Sequence, residues 1–138
     1  METNRLRKHK IKVIFDTSAL LTPFEFSINI DIELEKLLGS FDAFVPLCVI
    51  EELKILAEKS SGKRKRNATA ALKLAEKYQT INCKYGETDE ALVEIAKKFS
   101  KAVVVTNDIQ LMKKLRSENI PVVHLRGRNR LVLEGELR

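Results

Sequence analysis

Several residue types that commonly build catalytic or binding sites are scarce in this sequence. It contains no Trp and only two Tyr, which argues against an aromatic platform that stacks single-stranded bases. The two His, His9 and His124, stand without a partner pattern, so neither a zinc site nor histidine-based catalysis is indicated. No Gly-rich phosphate-binding loop is present. The chemistry must therefore come from other side chains.

Cysteines and long apolar runs are also scarce. Cys48 and Cys83 lack metal-type spacing and lie in apolar stretches, so the sequence favours buried free thiols over a disulfide. No apolar run approaches the roughly 20 residues of a membrane span, and the basic N-terminus lacks the apolar segment of a signal peptide. We therefore expect a cytoplasmic protein with no membrane partner.

Charge is present in excess of one sign and is unevenly distributed. The 138 residues include 25 Lys and Arg against 19 Asp and Glu, a net charge of +6. With 44% apolar and 32% charged residues, the composition predicts one globular domain over residues 1–138, with basic tails at 1–10 and 126–138. A basic surface favours a polyanion such as RNA. The cations predicted to hold its backbone are Lys63, Arg64, Lys65, Arg66, Arg126, Arg128 and Arg130.

Apolar periodicity predicts strands that alternate with helices. Strands are expected at 12–15, 41–45, 80–84, 102–106 and 122–125, and the main helices at 30–38, 46–59, 67–78, 88–99 and 108–117. This order predicts a three-layer α/β/α sandwich around a parallel five-stranded sheet, with the wholly apolar first strand at its centre. Residues 60–66 contain no apolar residue and are expected to form an exposed, mobile loop. Residues 126–138 are expected to add an edge strand or to swing free.

Four carboxylates follow strands or begin helices in this scheme. Asp16 ends the first strand, Glu52 lies in the first two turns of a helix, and Asp89 and Asp108 each begin a helix. The carboxyl ends of parallel strands meet at one sheet edge, so these residues can face one cleft. Oxygen ligands suit a hard cation such as Mg²⁺ or Mn²⁺. The pattern predicts a metal site.

Each of these residues also has a purely structural explanation. An Asp after a strand can cap a turn, and an acid in a first helical turn is favourable to the helix dipole. Glu51 competes with Glu52, and Glu87 and Glu90 compete with Asp89. Before Asp108, Thr106 can brace a ligand with its hydroxyl, and Asn107 can form a near capping box with Gln110; the two interpretations are compatible. The joint pattern, rather than any single member, favours the metal site.

Four motifs together resemble the PIN domain family. They are Val13-Ile14-Phe15-Asp16-Thr17-Ser18-Ala19-Leu20, Val49-Ile50-Glu51-Glu52-Leu53, Thr88-Asp89-Glu90-Ala91-Leu92 and Val105-Thr106-Asn107-Asp108-Ile109-Gln110-Leu111. The resemblance implies an α/β/α endoribonuclease that uses Mg²⁺ or Mn²⁺. The family's acidic positions fall on Asp16, Glu52, Asp89 and Asp108, and its hydroxyl position falls on Thr106.

The resemblance also implies partners and a choice of biological roles. Residues 120–127 are similar to archaeal relatives of PIN nucleases that process ribosomal RNA, which implies RNA and a ribosome-assembly partner. PIN proteins also occur as toxins paired with an antitoxin, often as homodimers. We therefore expect metal-assisted hydrolysis of RNA phosphodiesters in one of these two settings. A non-catalytic RNA-binding or assembly protein is the alternative, which the complete set of acidic positions disfavours.

Overall fold

A six-stranded sheet organises the chain in the computed structural model, which describes residues 10–83 and 87–137. The strands are β1 (Ile11–Phe15), β2 (Phe41–Pro46), β3 (Gln79–Ile81), β4 (Ala102–Val105), β5 (Val122–Arg126) and β6 (Arg130–Glu134). Their order across the sheet is β3-β2-β1-β4-β5-β6. The first five are parallel and β6 is antiparallel to β5. The α/β prediction with β1 near the centre is confirmed, but the described sheet has one strand more than the five predicted.

Helices cover both faces of the sheet. They are α1 (Thr17–Phe26), α2 (Ile30–Leu38), α3 (Leu47–Lys59), α4 (Gly62–Ala75), α5 (Thr88–Lys98) and α6 (Ile109–Ser117). Buried side chains of α1 to α4 share one core cluster with Val13 and Phe15, whereas those of α5 and α6 share a second cluster with Ile14. The result is a three-layer sandwich. None of the described helices is long and apolar enough to cross a membrane.

The apolar run in β1 fixes the level at which the central strands end. Val13, Ile14 and Phe15 are fully buried because alternate side chains enter the two core clusters on opposite faces. Phe15 is paired with Val105 of β4. The next residues, Asp16 and Thr106, therefore leave the sheet side by side.

The basic C-terminal segment is an edge strand over residues 130–134 rather than a free tail. A turn at 127–129, with Gly127 at a φ of 67°, folds β6 back onto β5. Leu131 is buried against the core, and Leu133 packs beside it. Burial of these apolar residues, which stand among charges in the sequence, accounts for the sixth strand.

The basic segment at 60–66 is exposed as expected, but it is not a loop. Helix α4 already begins at Gly62, so Lys63, Arg64, Lys65 and Arg66 are helical. Lys and Arg are good helix formers, and the buried alanines further along α4 anchor the helix without an apolar first turn. The predicted mobile loop is therefore wrong. The basic segment 1–9 and residues 84–86 at the end of the third predicted strand lie outside the described residues.

The two cysteines are free and half-buried. The backbone N–H of Cys48 donates a hydrogen bond to Sγ of Cys83 at 3.3 Å, which ties the start of α3 to the segment after β3. Burial, together with the neighbouring Cys83, raises the pKa of the Cys48 thiol to about 12. A thiol that stays protonated is a poor nucleophile, so the contact is structural.

Candidate active site

Asp16 is held at the end of β1 by hydroxyl groups from two elements. The residue is only 7% exposed. Oδ2 accepts hydrogen bonds from Oγ1 of Thr106 at 2.5 Å and from Oγ of Ser18 at 3.0 Å. Oδ1 accepts from the N–H of Thr17 and so caps helix α1. Asp16 therefore caps a helix, as its purely structural explanation predicts, and it is also a fixed carboxylate at the sheet edge.

Ser18 and Asn107 complete the network around Asp16, although neither was predicted to have a role in the site. The N–H of Asn107 donates to Oγ of Ser18 at 2.9 Å. The Asn107 side chain donates to Oγ1 of Thr22 at 2.8 Å and accepts from the N–H of Leu125 at 2.9 Å. Asn107 thus joins α1 to β5 across the end of β4. The signal for it was the polar residue directly after a buried strand.

Asp108 is the N-cap of α6. Its Oδ1 accepts from the N–H groups of Gln110 and Leu111 at 2.9 and 3.3 Å. Its own N–H donates to Oγ1 of Thr106 at 3.0 Å, so a single hydroxyl contacts both Asp16 and Asp108. The near capping box of Asn107 with Gln110 is wrong, because Asp108 takes the capping position and Asn107 turns toward α1 and β5.

Glu52 and Asp89 reach the cleft from helices on opposite faces of the sheet. Glu52 is half-buried whereas its competitor Glu51 is exposed. Oε1 of Glu52 is buried without a hydrogen-bond partner among the described residues. Asp89 lies in the first turn of α5, and the competing Glu90 instead pairs with Lys114 at 3.4 Å.

The four predicted carboxylates line one cleft of about 430 Å³ at the carboxyl edge of the sheet. Hydroxyl side chains of Thr17, Ser18 and Thr88 share its walls, and Ile55 and Leu56 form an apolar side. Within the described ranges, no three acidic, His or Cys side chains stand close enough together to grip one ion. The four acids therefore share one cleft without forming a compact metal-binding cluster.

The carboxylates of the cleft influence one another, but burial matters more. Burial is the largest cause that raises the pKa of Asp16; hydrogen bonds from Thr106, Ser18 and Thr17 oppose it, and the charge of Glu52 adds to it. Burial followed by the charge of Asp108 raises the pKa of Asp89. Repulsion between neighbouring carboxylates is therefore a smaller cause of the two raised pKa values than burial.

The chemistry of the donor atoms fits a divalent cation. All candidate donors are carboxylate or hydroxyl oxygens, the type that Mg²⁺ and Mn²⁺ prefer. The orphaned Oε1 of Glu52 and the desolvated carboxyl of Asp16 would both gain from a cation between them. A small cation that keeps several waters also needs few direct protein ligands, so a loose set of acids is sufficient.

The predicted RNA-binding cations separate into two groups. Arg64 lines the acidic cleft, and Lys63 lies beside it along the next groove. Arg126, Arg128 and Arg130 are exposed around the β5–β6 turn and are not among the described residues that line the cleft. Lys65 and Arg66 are exposed on α4 and likewise lie outside that lining. The cleft itself thus has a single cation from the predicted set.

Comparison with protein families and curated proteins gives consistent results. The family model described as a PIN like domain matches residues 13–128. The chain is 32% identical over 127 residues to Ribonuclease VapC4 of Methanocaldococcus jannaschii, a match that covers 90% of this chain and 97% of that protein. It is 30% identical over 135 residues to Ribonuclease VapC9 of Archaeoglobus fulgidus, covering 97% and 98% of the two chains.

Solved structures share the fold. The PIN domain endonuclease Utp24 superposes with a TM-score of 0.73 at 22% identity, over 91% of this chain and 92% of that one. A domain of a functionally unknown protein from Methanocaldococcus jannaschii superposes with a TM-score of 0.61 at 17% identity, over 93% and 96%. At these identities, the likeness concerns the fold.

Proposed function

Because the chain belongs to the PIN-like domain family, we propose that it is a metal-dependent endoribonuclease whose site is the acidic cleft. The observation that carries the proposal is the convergence of Asp16, Glu52, Asp89 and Asp108 on one cleft at the carboxyl edge of the sheet. The ribonuclease names of both curated relatives, which match almost end to end, support the same activity.

The chain's own residues would bind and orient the substrate. Asp16 and Asp108 would be the principal ligands of Mg²⁺ or Mn²⁺, because Thr106 holds both at fixed positions. Glu52 and Asp89 would complete the site or hold waters. A bound divalent cation supplies an activated water and neutralises charge on the leaving oxygen. Arg64, at the cleft wall, would hold the phosphate that is cut.

The remaining predicted cations would hold the strand beyond the cleft. Arg126 ends β5, Arg128 lies in the following turn and Arg130 begins β6, at the same sheet edge as Asp16 and Asp108. Exposed cations outside the cleft position the RNA strand and add salt-dependent affinity, but they take no part in the chemical step. Lys63, Lys65 and Arg66 would act in the same way from α4.

Of the biological settings, a toxin-type ribonuclease is better supported than ribosomal RNA processing. Both curated relatives carry the name VapC, whereas the likeness to Utp24 concerns the fold alone. An antitoxin and a second copy of the chain are therefore the proposed protein partners. Co-expression with the product of a neighbouring small gene, followed by measurement of RNA cutting, tests this setting: loss of cutting on co-purification supports it, and unchanged cutting contradicts it.

The activity is tested by incubation of the purified chain with labelled single-stranded RNA, in Mn²⁺ or in chelator. We expect cutting that requires Mn²⁺ and that is lost in Asp108→Asn. Glu51→Gln is the matched control, because Glu51 is an exposed neighbour of Glu52 outside the cleft lining. Binding of RNA without cutting in the wild-type protein would instead identify a non-catalytic RNA-binding protein.

A further inference from the structure

A second cavity continues directly from the acidic cleft. It has a volume of about 560 Å³ and lies between α1, α3 and α4. Ser18, Leu21, Leu56 and Arg64 line both cavities, so they form one continuous opening. We call the second cavity the side groove. A strand that enters the acidic cleft can extend along it without leaving the protein surface.

The side groove combines an apolar floor with unpaired polar groups. Leu21, Phe26 and Leu56 supply the apolar surface, whereas Glu25 and Asn67 supply hydrogen-bonding groups from α1 and α4. Within the part of the chain that the structure describes, the Glu25 and Asn67 side chains make no hydrogen bond or ion pair. Groups of this kind remain available to a ligand.

Positive charge lies where the side groove meets the acidic cleft. Lys63 and Arg64 stand together on the first turn of α4, and Arg64 lies where the groove meets the acidic cleft. A nucleotide carries its charge on the phosphate and offers a flat, largely apolar base with hydrogen-bonding edges. The acids thus line the cleft, Arg64 lies where the two cavities meet, and Glu25, Phe26 and Asn67 line only the side groove. A strand cut at the acids would place a phosphate beside Arg64 and the neighbouring base in the side groove.

We propose that the side groove holds the base of the nucleotide next to the cut, and that Glu25 makes the enzyme prefer guanine there. The inference rests on the proposed ribonuclease function and adds a specificity-determining residue to it. A carboxylate accepts two hydrogen bonds from the N1–H and N2–H of guanine. Uracil presents its single N–H between two carbonyl oxygens, which a carboxylate repels.

A nucleotide fits these observations better than a protein segment. A peptide that fills an apolar groove needs no cation at the junction with an acidic cleft. A nucleic-acid strand carries a phosphate at that junction, beside Arg64. The match of charges, together with the continuity of the two cavities, selects RNA as the occupant.

The test measures which bases flank the cut rather than how fast cutting occurs. A single-stranded RNA pool randomised at every position is cut with Mn²⁺, and the product ends are sequenced. For the wild-type chain we expect guanine to exceed uracil at one fixed position next to the cut by about tenfold, which is the discrimination of one bidentate contact. Glu25→Gln should bring this ratio close to unity, because the amide has only one acceptor oxygen and its NH2 group would face one of the two guanine N–H donors.

Glu58→Gln is the matched control, since Glu58 is an exposed glutamate of α3 outside both cavities. It should keep the wild-type ratio. The ratio is internal to each sample, so a partly unfolded variant does not change it. Asn67→Ala gives a second reading of the same groove and should also alter the ratio.

The possible failures are distinguishable. If the wild-type chain cuts RNA without preference for any base next to the cut, or if Glu25→Gln keeps the guanine ratio, the side-groove proposal is wrong and the ribonuclease remains. If the wild-type chain cuts no RNA, the proposed function fails and the groove proposal fails with it. A retained ratio, combined with loss of self-association of Glu25→Gln in sedimentation, would assign the groove to a second copy of the chain.

Discussion

The two halves of the acidic cleft are built by different means. The inner half consists of Asp16, Thr106 and Asp108 at the ends of β1 and β4, where hydrogen bonds fix each side chain. The outer half consists of Glu52 and Asp89 on α3 and α5, whose carboxylates make no hydrogen bond within residues 10–83 and 87–137. Hydrogen bonds therefore orient the carboxylates of the inner half before any ligand arrives, whereas no hydrogen bond within the described residues orients those of the outer half.

The largest expected difference between the halves is in RNA cutting. Asp16→Asn should lower the rate by about 1000-fold, because it removes a fixed carboxylate at the centre of the site. Glu52→Gln should lower it by about 30-fold, because a water can take the place of a ligand that is not held in position. The rates are compared at saturating Mn²⁺. Equal losses in the two variants would mean that the halves do not differ in function.

A stability measurement compares the halves without reference to activity. Thr106→Val keeps the volume of a fully buried side chain but removes the hydroxyl that contacts Asp16 and Asp108. We expect the free energy of unfolding to fall by about 2 kcal/mol, measured by denaturant titration. Thr88→Val, in the cleft wall next to Asp89 of the outer half, should change it by less than about 0.5 kcal/mol. A larger loss for Thr88→Val would contradict the contrast.

The pH dependence of stability identifies the carboxyl that the fold has already desolvated. Burial raises the pKa of Asp16 in the folded chain. At pH values between the pKa of the unfolded chain and that of the folded chain, Asp16 is therefore protonated when the chain is folded and ionised when it is unfolded. The contribution of Asp16 to stability therefore falls as pH rises through that window. In chelator, the wild-type protein should lose more stability than Asp16→Asn as the pH rises above about 4, the ordinary pKa of an aspartate. Saturating Mn²⁺ should remove this difference, since it binds the ionised form.

The smallest expected effect concerns the cationic helix end beside the outer half. Four cations begin α4, where the helix dipole disfavours positive charge, and the first turn has no acid and no side-chain cap. Lys63→Glu should raise the free energy of unfolding by about 0.5 kcal/mol and weaken RNA binding. Lys73→Glu, at the other end of the same helix, should lower stability by a similar amount. If both variants changed the free energy of unfolding in the same direction, the helix dipole would not be the cause.

Different parts of the molecule were predictable to different degrees. The strand β1 and the helix α2 were predicted correctly. Burial on both faces gives a strand a continuous apolar run, and burial on one face gives a helix apolar residues at helical spacing. The start of α4 was missed because an exposed helix turn needs no apolar residue, and β6 was left open because three apolar residues among charges fit either a tail or an edge strand.

The amino-acid sequence by itself determined which acids could meet: a carboxylate after a buried strand or in a first helical turn, in a chain of parallel strands, has only one sheet edge to reach. Only the tertiary structure decided how each acid is held. Thr106 contacts Asp16, which lies 90 positions earlier in the chain, and Asn107 ties α1 to β5; no local pattern encodes these contacts. Hydrogen bonds between residues so distant in the chain depend on strand register and burial, which arise when the whole sheet assembles.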